Sequence, residues 1–240
     1  MAELLNWTEI DLAAYRHNIV ELRRIARPES RFMAVVKANG YGHGSVEVSK
    51  AALQSGADCL GVARLHEAVE LRNAGIESPI LIFGLTPPEA VGTLLEHDLT
   101  QAVFTQESAE ALATMAVAKG KDLRVHIKVD TGMGRLGLLA DEPRAEEATA
   151  SAANHRFREV SGIVDLPGLE VEGLFTHFAT ADHGDKSYAL RQLQRFSKLV
   201  ENLKQQGIEF PLNHAANSAA LIDMPESHLD MVRPGIATYG

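Results

Sequence analysis

The chain has 240 residues, 45% hydrophobic and 23% charged, which is ample apolar material for a substantial core and unlike a disordered or collagen-like chain. Its 23 basic and 32 acidic residues leave a net charge of −9, so no global field attracts a polyanion and nucleic acid is not an expected partner. No run approaches the roughly eighteen apolar residues of a membrane span, and Met1-Ala2-Glu3-Leu4-Leu5-Asn6-Trp7 lacks the basic and apolar regions of a signal peptide. The expectation is a cytoplasmic protein with no membrane partner.

In chain order, an amphipathic helix at 11–26 precedes an apolar run at 31–37, Arg31-Phe32-Met33-Ala34-Val35-Val36-Lys37, which breaks at Asn39-Gly40 and reads as a strand. Helix 45–57, strand 59–63, helix 65–74, strand 79–84, helix 87–97, strand 99–104, helix 107–119 and strand 123–130 follow. The alternation continues with helix 142–158, strand 169–177, helix 186–206, strand 211–217, a short helix at 218–223 and strand 229–239. Short apolar strands separated by helices are the signature of parallel βαβ units, because a parallel sheet is buried on both faces and needs crossover helices. Eight such units predict a single α/β domain over 1–240, a (β/α)8 TIM-type barrel, with a doubly wound open sheet as its structural rival. The one cysteine, Cys59, sits in an apolar run and reads as a small hydrophobe.

In a barrel the chemistry gathers where strands end, and reactive residues collect there. The first strand ends in Lys37, the fifth leads into Asp130-Thr131-Gly132-Met133-Gly134-Arg135-Leu136-Gly137, the sixth ends at Thr176-His177-Phe178, the seventh at Asn217-Ser218, and the eighth carries Arg233-Pro234-Gly235-Ile236. A lone lysine ending a strand commonly just extends its ammonium into water. Beside cations such as Arg135 and Arg233, however, its pKa falls, and a neutral amine attacks an aldehyde to form a Schiff base. Ser218 and the small residues around Gly235 provide the hydroxyl and backbone N–H groups with which barrels hold phosphate. A reactive lysine facing a phosphate cradle points to pyridoxal phosphate.

The segment Ala34-Val35-Val36-Lys37-Ala38-Asn39-Gly40-Tyr41-Gly42-His43-Gly44 closely resembles the cofactor-binding segment of bacterial alanine racemases. Lys128 to Gly137, Gly173 to Ala179, Asn217-Ser218-Ala219 and Arg233 to Ile236 match the same family in order, so the resemblance covers essentially the whole chain. It implies that Lys37 holds the cofactor covalently and exchanges the substrate's Cα proton on one face. It also implies that Tyr41, Asn217, Ser218 and the backbone of Gly235 and Ile236 bind the cofactor at or near its phosphate, that His177 lies beside the pyridine ring, and that Arg135 contacts the phenolic oxygen. Arg233 would hydrogen-bond the ring nitrogen; a guanidinium donates there without giving up its proton, which should discourage transamination. In this family the lysine at the position of Lys128 is often carbamylated.

Two motifs invite other chemistry. Gly132-Met133-Gly134-Arg135-Leu136-Gly137 fits G-x-G-x-x-G, but it follows the fifth strand, with no acidic strand end about 20 residues on, and a loop needing positive φ at its glycines suffices to explain it. His177, Asp182, His183 and Asp185 lack a supporting metal spacing, and His183-Gly184-Asp185 reads as a solvated turn, so no metal is expected.

The family resemblance implies interconversion of L- and D-alanine, supplying D-alanine for peptidoglycan, by a homodimer whose C-terminal β-rich domain provides the second base from the opposite subunit. Since the sequence stops at Tyr239-Gly240, where the barrel ends, the expectation is a racemase N-terminal domain lacking that β domain and weakly active or inactive alone. The alternatives are a pyridoxal-phosphate-binding protein that does not turn over and a racemase of another amino acid, such as serine or lysine.

Overall fold

The computed structural model describes residues 7–140 and 158–240. Its strands are β1 (Arg31–Val35), β2 (Cys59–Val62), β3 (Ile80–Ile82), β4 (Thr100–Val103), β5 (Leu123–Asp130), β6 (Leu138–Leu139), β7 (Leu169–Phe175), β8 (Leu212–His214) and β9 (Met231–Val232). Every pairing is parallel, in the order β8-β7-β5-β4-β3-β2-β1-β9, with β6 attached only to β5. The ring closes where the Asp230 N–H donates to Asn213 O at 3.1 Å and the Arg233 N–H to Ala216 O at 2.9 Å. The expected (β/α)8 barrel is therefore present, and the open sheet is not.

Helices Leu12–Ile25, Ser45–Gln54, Leu65–Asn73, Val91–Glu96, Gln106–Lys119, Ser187–Gln205 and Ser218–Asp223 surround it. Their ends are set by local chemistry. The Asp11 carboxylate accepts N–H bonds from Ala13 and Ala14, Thr105 Oγ1 accepts from Ser108 N, and Gly120 closes its helix at φ 67°. The helix expected at 142–158 lies outside the described residues save for Arg158, and residues 158–164 are helical. No helix among the described residues is long and apolar enough to cross a membrane.

Strand periodicity divides the apolar side chains into two layers. Phe32, Ala34, Leu60, Val62, Ile80, Ile82, Val125 and Ile127 join the main cluster with helix residues such as Ile19, Leu71, Leu94 and Phe196. The alternate residues Met33, Cys59, Leu81, Ala102, Phe175 and Met231 form a smaller second cluster, to which six of the nine strands contribute one side chain each. Cys59 behaves there as the hydrophobe its sequence indicated: it is buried, its Sγ lies 3.6 Å from Met231 Sδ, and burial pushes its thiol up to about 12.

Of the eight expected strands only β5 reaches its expected C-terminal end; β1 stops at Val35, β3 at Ile82, β7 at Phe175, β8 at His214 and β9 at Val232. Beyond those points only single backbone bonds continue, such as Val36 N–H to Gly61 O at 2.9 Å and Thr176 N–H to His214 O at 3.1 Å, as the chain runs into the barrel mouth.

Candidate active site

All ten residues singled out in the sequence line one cavity of about 450 Å³ at the C-terminal mouth. Lys37 reaches it from an unusual turn. Ala38, Asn39, Gly40 and Tyr41 have φ values of 52°, 53°, 59° and 53°, a left-handed turn of four consecutive residues, three of which carry side chains. A left-handed residue with a Cβ costs about 1–2 kcal/mol, so the turn persists only because its surroundings hold it. The buried Glu67 carboxylate does much of this. Its Oε1 accepts the Ala38 N–H at 2.6 Å, and its Oε2 accepts those of Ala63 and Arg64 at 2.7 and 2.9 Å. Asn39 Oδ1 accepts the Ser45 N–H at 2.9 Å, tying the turn to the next helix. Lys37 Nζ thereby lies 5.9 Å from the Tyr41 ring centroid.

Opposite, Ser218 Oγ accepts N–H bonds from Gly235 at 2.9 Å and Ala237 at 3.3 Å. Ile236 lies between them, its N–H without a partner among the described residues and the residue 60% exposed. A Cβ on Gly235 would come within 2.5 Å of the Tyr41 hydroxyl, so only glycine lets the two approach. Burial raises the Tyr41 pKa, keeping its O–H a donor. Tyr239 packs on Tyr41 at 4.9 Å and donates to Val35 O, tying the cradle to β1. Asn217 Oδ1 is committed to the Ala220 N–H, capping helix Ser218–Asp223.

The loop after β5 is built around Asp130. Its carboxylate accepts N–H groups from Gly132, Met133 and Arg135 at 2.8, 2.7 and 3.1 Å. Gly132, Gly134 and Gly137 all have positive φ; at Gly137 (138°) a Cβ would meet Asp130 N at 2.5 Å, so the chain returns close to β5 before β6. The loop presents Arg135, exposed, at the cavity rim. Helix Ser187–Gln205 clamps it from behind: Tyr188 Oη donates to Gly132 O at 2.6 Å and Arg195 to Thr131 O at 3.0 Å. Buried Gln192 bonds Thr131 Oγ1, His177 O and Ala179 N, joining this loop to the one that carries His177.

Arg233 is 4% exposed and donates to His214 Nδ1 (2.7 Å), Thr176 O (2.7 Å) and Ala215 O (3.1 Å). Burial pushes it down to about 9, which leaves it a cation at neutral pH. With Lys37, Lys128 and Arg135 it makes a strongly cationic mouth. Burial and the Arg135 charge lower Lys37, and the same causes with Arg233 bring buried Lys128 down to about 8. Burial and the four cations bring His177 down to about 3, so its ring is neutral. Among the described residues no group of three or more His, Cys, Asp or Glu could hold a metal ion. Asp185 instead takes the Ser187 N–H in the turn before its helix.

The cavity thus joins an amine biased toward its nucleophilic form to an array of hydroxyl and N–H donors suited to a phosphate. Residues 10–240 match the family model described as alanine racemase, N-terminal domain. The chain belongs to that family. It is 50% identical over 234 residues to the alanine racemase of Methanococcus maripaludis, covering 98% of this chain and 60% of that protein. It is also 50% identical over 240 residues to that of Desulfosudis oleivorans, covering 100% and 60%. Among solved structures, alanine racemase from Clostridium difficile in complex with cycloserine superposes with a TM-score of 0.91 at 34% identity, covering 100% of this chain and 63% of that one. Alanine racemase from Bacillus anthracis with bound L-Ala-P gives 0.85 at 36%, covering 98% and 57%. The racemase-family barrel described here spans about 60% of the length of the relatives.

Several residues that shape the site escaped the sequence reading: Glu67, Gln192, His126 and His214. For the two histidines a signal existed. His126 and Lys128 are two apart on β5 and share the barrel's inner face, and His214 ends β8, the strand that leads into Asn217-Ser218.

Proposed function

We propose that this barrel is the pyridoxal-phosphate-binding and base-carrying part of an alanine racemase that interconverts L- and D-alanine. The observation that carries the reading is the placement of Lys37 and the Tyr41–Ser218–Ile236 donor set in one cavity. The residues present fit the cofactor: the Gly235 backbone leaves room that a Cβ would fill, and the Ser218 hydroxyl, Tyr41 hydroxyl and Ile236 N–H form a donor set for a phosphate. Bound there, pyridoxal phosphate would supply the electron sink that acidifies an amino acid's Cα–H.

The chain's own residues divide the remaining work. Lys37, with its lowered pKa, holds the cofactor through its amine and, once released, moves a proton to or from Cα on its face. Arg233 would donate to the ring nitrogen and, remaining a cation, would not protonate it. His177, neutral, would flank the ring, and Arg135 would donate to the phenolic oxygen. Lys128 as a free amine adds to the cationic crowd; carbamylated, it becomes an anion that pairs with Arg135. A cytoplasmic homodimer that supplies D-alanine for peptidoglycan is the physiological form we propose, with the second base supplied by the part of the relatives this chain does not span.

The test is direct. After pyridoxal phosphate and borohydride are added to the 240-residue chain, peptide mapping should find the cofactor on Lys37; modification confined to surface lysines rejects the reading. In this barrel fused to the remaining segment of a relative, Arg233→Glu should raise transamination relative to racemisation. An unchanged ratio would place the arginine away from the ring.

A further inference from the structure

Arg233 is a buried guanidinium that makes no ion pair among the described residues; its acceptors are two carbonyls and an imidazole. That imidazole opens a chain of contacts leading away from the mouth. His214 Nε2 lies 2.8 Å from His126 Nδ1, and His126 Nε2 lies 4.0 Å from Glu172 Oε2, on the wall of a second cavity of about 430 Å³ that Glu29, Arg31 and Arg124 also line. Both histidines are buried, at 0% and 3% exposure. Phe175 stacks on His214 with centroids 4.8 Å apart and planes 1° from parallel, so the ring cannot turn freely.

Direction follows from hydrogen-bond chemistry. A guanidinium has no lone pair to offer, so His214 Nδ1 must accept from Arg233. Its proton is then on Nε2, which donates to His126 Nδ1, and the proton of His126 is on Nε2, facing Glu172. Each ring dipole points its negative end toward Arg233 and its positive end toward the carboxylate. The groups facing the pair are Arg233, Arg31 and Glu172; burial and Arg233 hold both rings neutral, with Arg31 adding at His126.

We propose that His126 is a positioning residue for Arg233: it fixes His214 in the one tautomer that accepts from the guanidinium, and so keeps Arg233 an aimed donor in the mouth, while Glu172 faces only the outer end of the chain. The benefit to the cofactor rests on the function proposed above; the tautomers do not.

The experiment uses the 240-residue chain with ¹⁵N-labelled histidine, without cofactor, and then measures cofactor affinity separately. Both rings should show a protonated Nε2 and a bare Nδ1 from about pH 5 to 9. His126→Phe removes the acceptor, so His214 should lose its single-tautomer signature and pyridoxal phosphate should bind roughly 3–10-fold more weakly, the worth of one hydrogen bond. His126→Gln, which still accepts and donates, should restore both, an outcome that mere loss of packing would not give. Glu172→Gln should move the His126 Nε2 resonance and leave that of His214 nearly in place. An Nδ1–H or charged ring in the wild-type chain overturns the proposal without any variant having to fold, as does an unchanged His214 in His126→Phe. Correct tautomers with no cofactor binding would reject the function and leave the relay standing.

Discussion

At the N-terminal end of the barrel, Arg124 lies 2.6 Å from Asp98 and 4.0 Å from Glu172, and the Asp230 carboxylate takes two N–H groups from Asn213. At the C-terminal end, Lys37, Lys128, Arg135 and Arg233 surround one cavity, and none of them makes an ion pair among the described residues. The first arrangement neutralises charge locally and adds little to stability. The second costs stability, through four like charges and a strained left-handed turn, and such a cost persists where it serves a bound anion. If this contrast is right, substitutions at the two ends should separate activity from stability.

The largest effect should come from Lys37→Ala. In the barrel fused to the remaining segment of a relative, turnover should fall by about 10²–10⁴-fold, the contribution of a positioned acid–base group. Urea unfolding should show stability unchanged within about 0.5 kcal/mol, or raised, because a partly desolvated cation has been removed. A large loss of stability would mean that the lysine is structural and would erase the contrast. Leu60→Ala should do the reverse. Leu60 is fully buried in the main cluster, and its truncation should lower stability by about 2–5 kcal/mol while the folded fraction binds cofactor as before.

Lys128→Met sharpens the comparison through pH. The folded pKa of Lys128, about 8, lies below its ordinary 10.5, so between those values the unfolded chain binds more protons than the folded one. Stability therefore rises with pH across that window, and the penalty is fully present below about pH 8. Lys128→Met should remove it, stabilising the protein at pH 7 by on the order of 2 kcal/mol and flattening the rise between pH 8 and 10. Paired urea titrations at pH 7 and pH 9.5 test this. Carbamylation would cancel the penalty in the wild-type chain, so the comparison is made with and without bicarbonate; an effect of bicarbonate on wild type that is absent in Lys128→Met marks the modification.

Much of this end of the molecule was legible in the sequence because its residue types are chemically distinctive. A lysine ending an apolar run, a glycine-rich loop carrying Arg135, and Arg233 before Gly235 each announce themselves. The left-handed turn was read only as a break at Asn39-Gly40, because nothing about Ala38 or Tyr41 foretells positive φ; the Glu67 carboxylate, far along the chain, imposes it. The His126–His214 contact was invisible for the same reason. It spans 88 residues and arises because β7 alone separates β5 from β8 and places Gly173 beside His126, where a Cβ would come within 2.7 Å of Nδ1. Strand β6 is two residues long and paired on one side, too short to leave a periodic signal.

The smallest effect tests the paired end. Arg124 has a side chain 27% exposed, and its partner Asp98 is 67% exposed, so their attraction acts through a largely aqueous dielectric and is offset by ordering two side chains. The Glu172 contact adds little at 4.0 Å. The guanidinium also donates to Asp98 O at 3.2 Å, a bond that water can replace at this depth. Arg124→Ala should therefore cost only about 0.5–1 kcal/mol in urea unfolding. About half of that should vanish in high salt, since a pair this exposed is screened within roughly a Debye length. A loss above about 2 kcal/mol that persists in salt would show that the pairing is a stabilising device in its own right. The two ends would then differ in purpose and not merely in whether charge is paired.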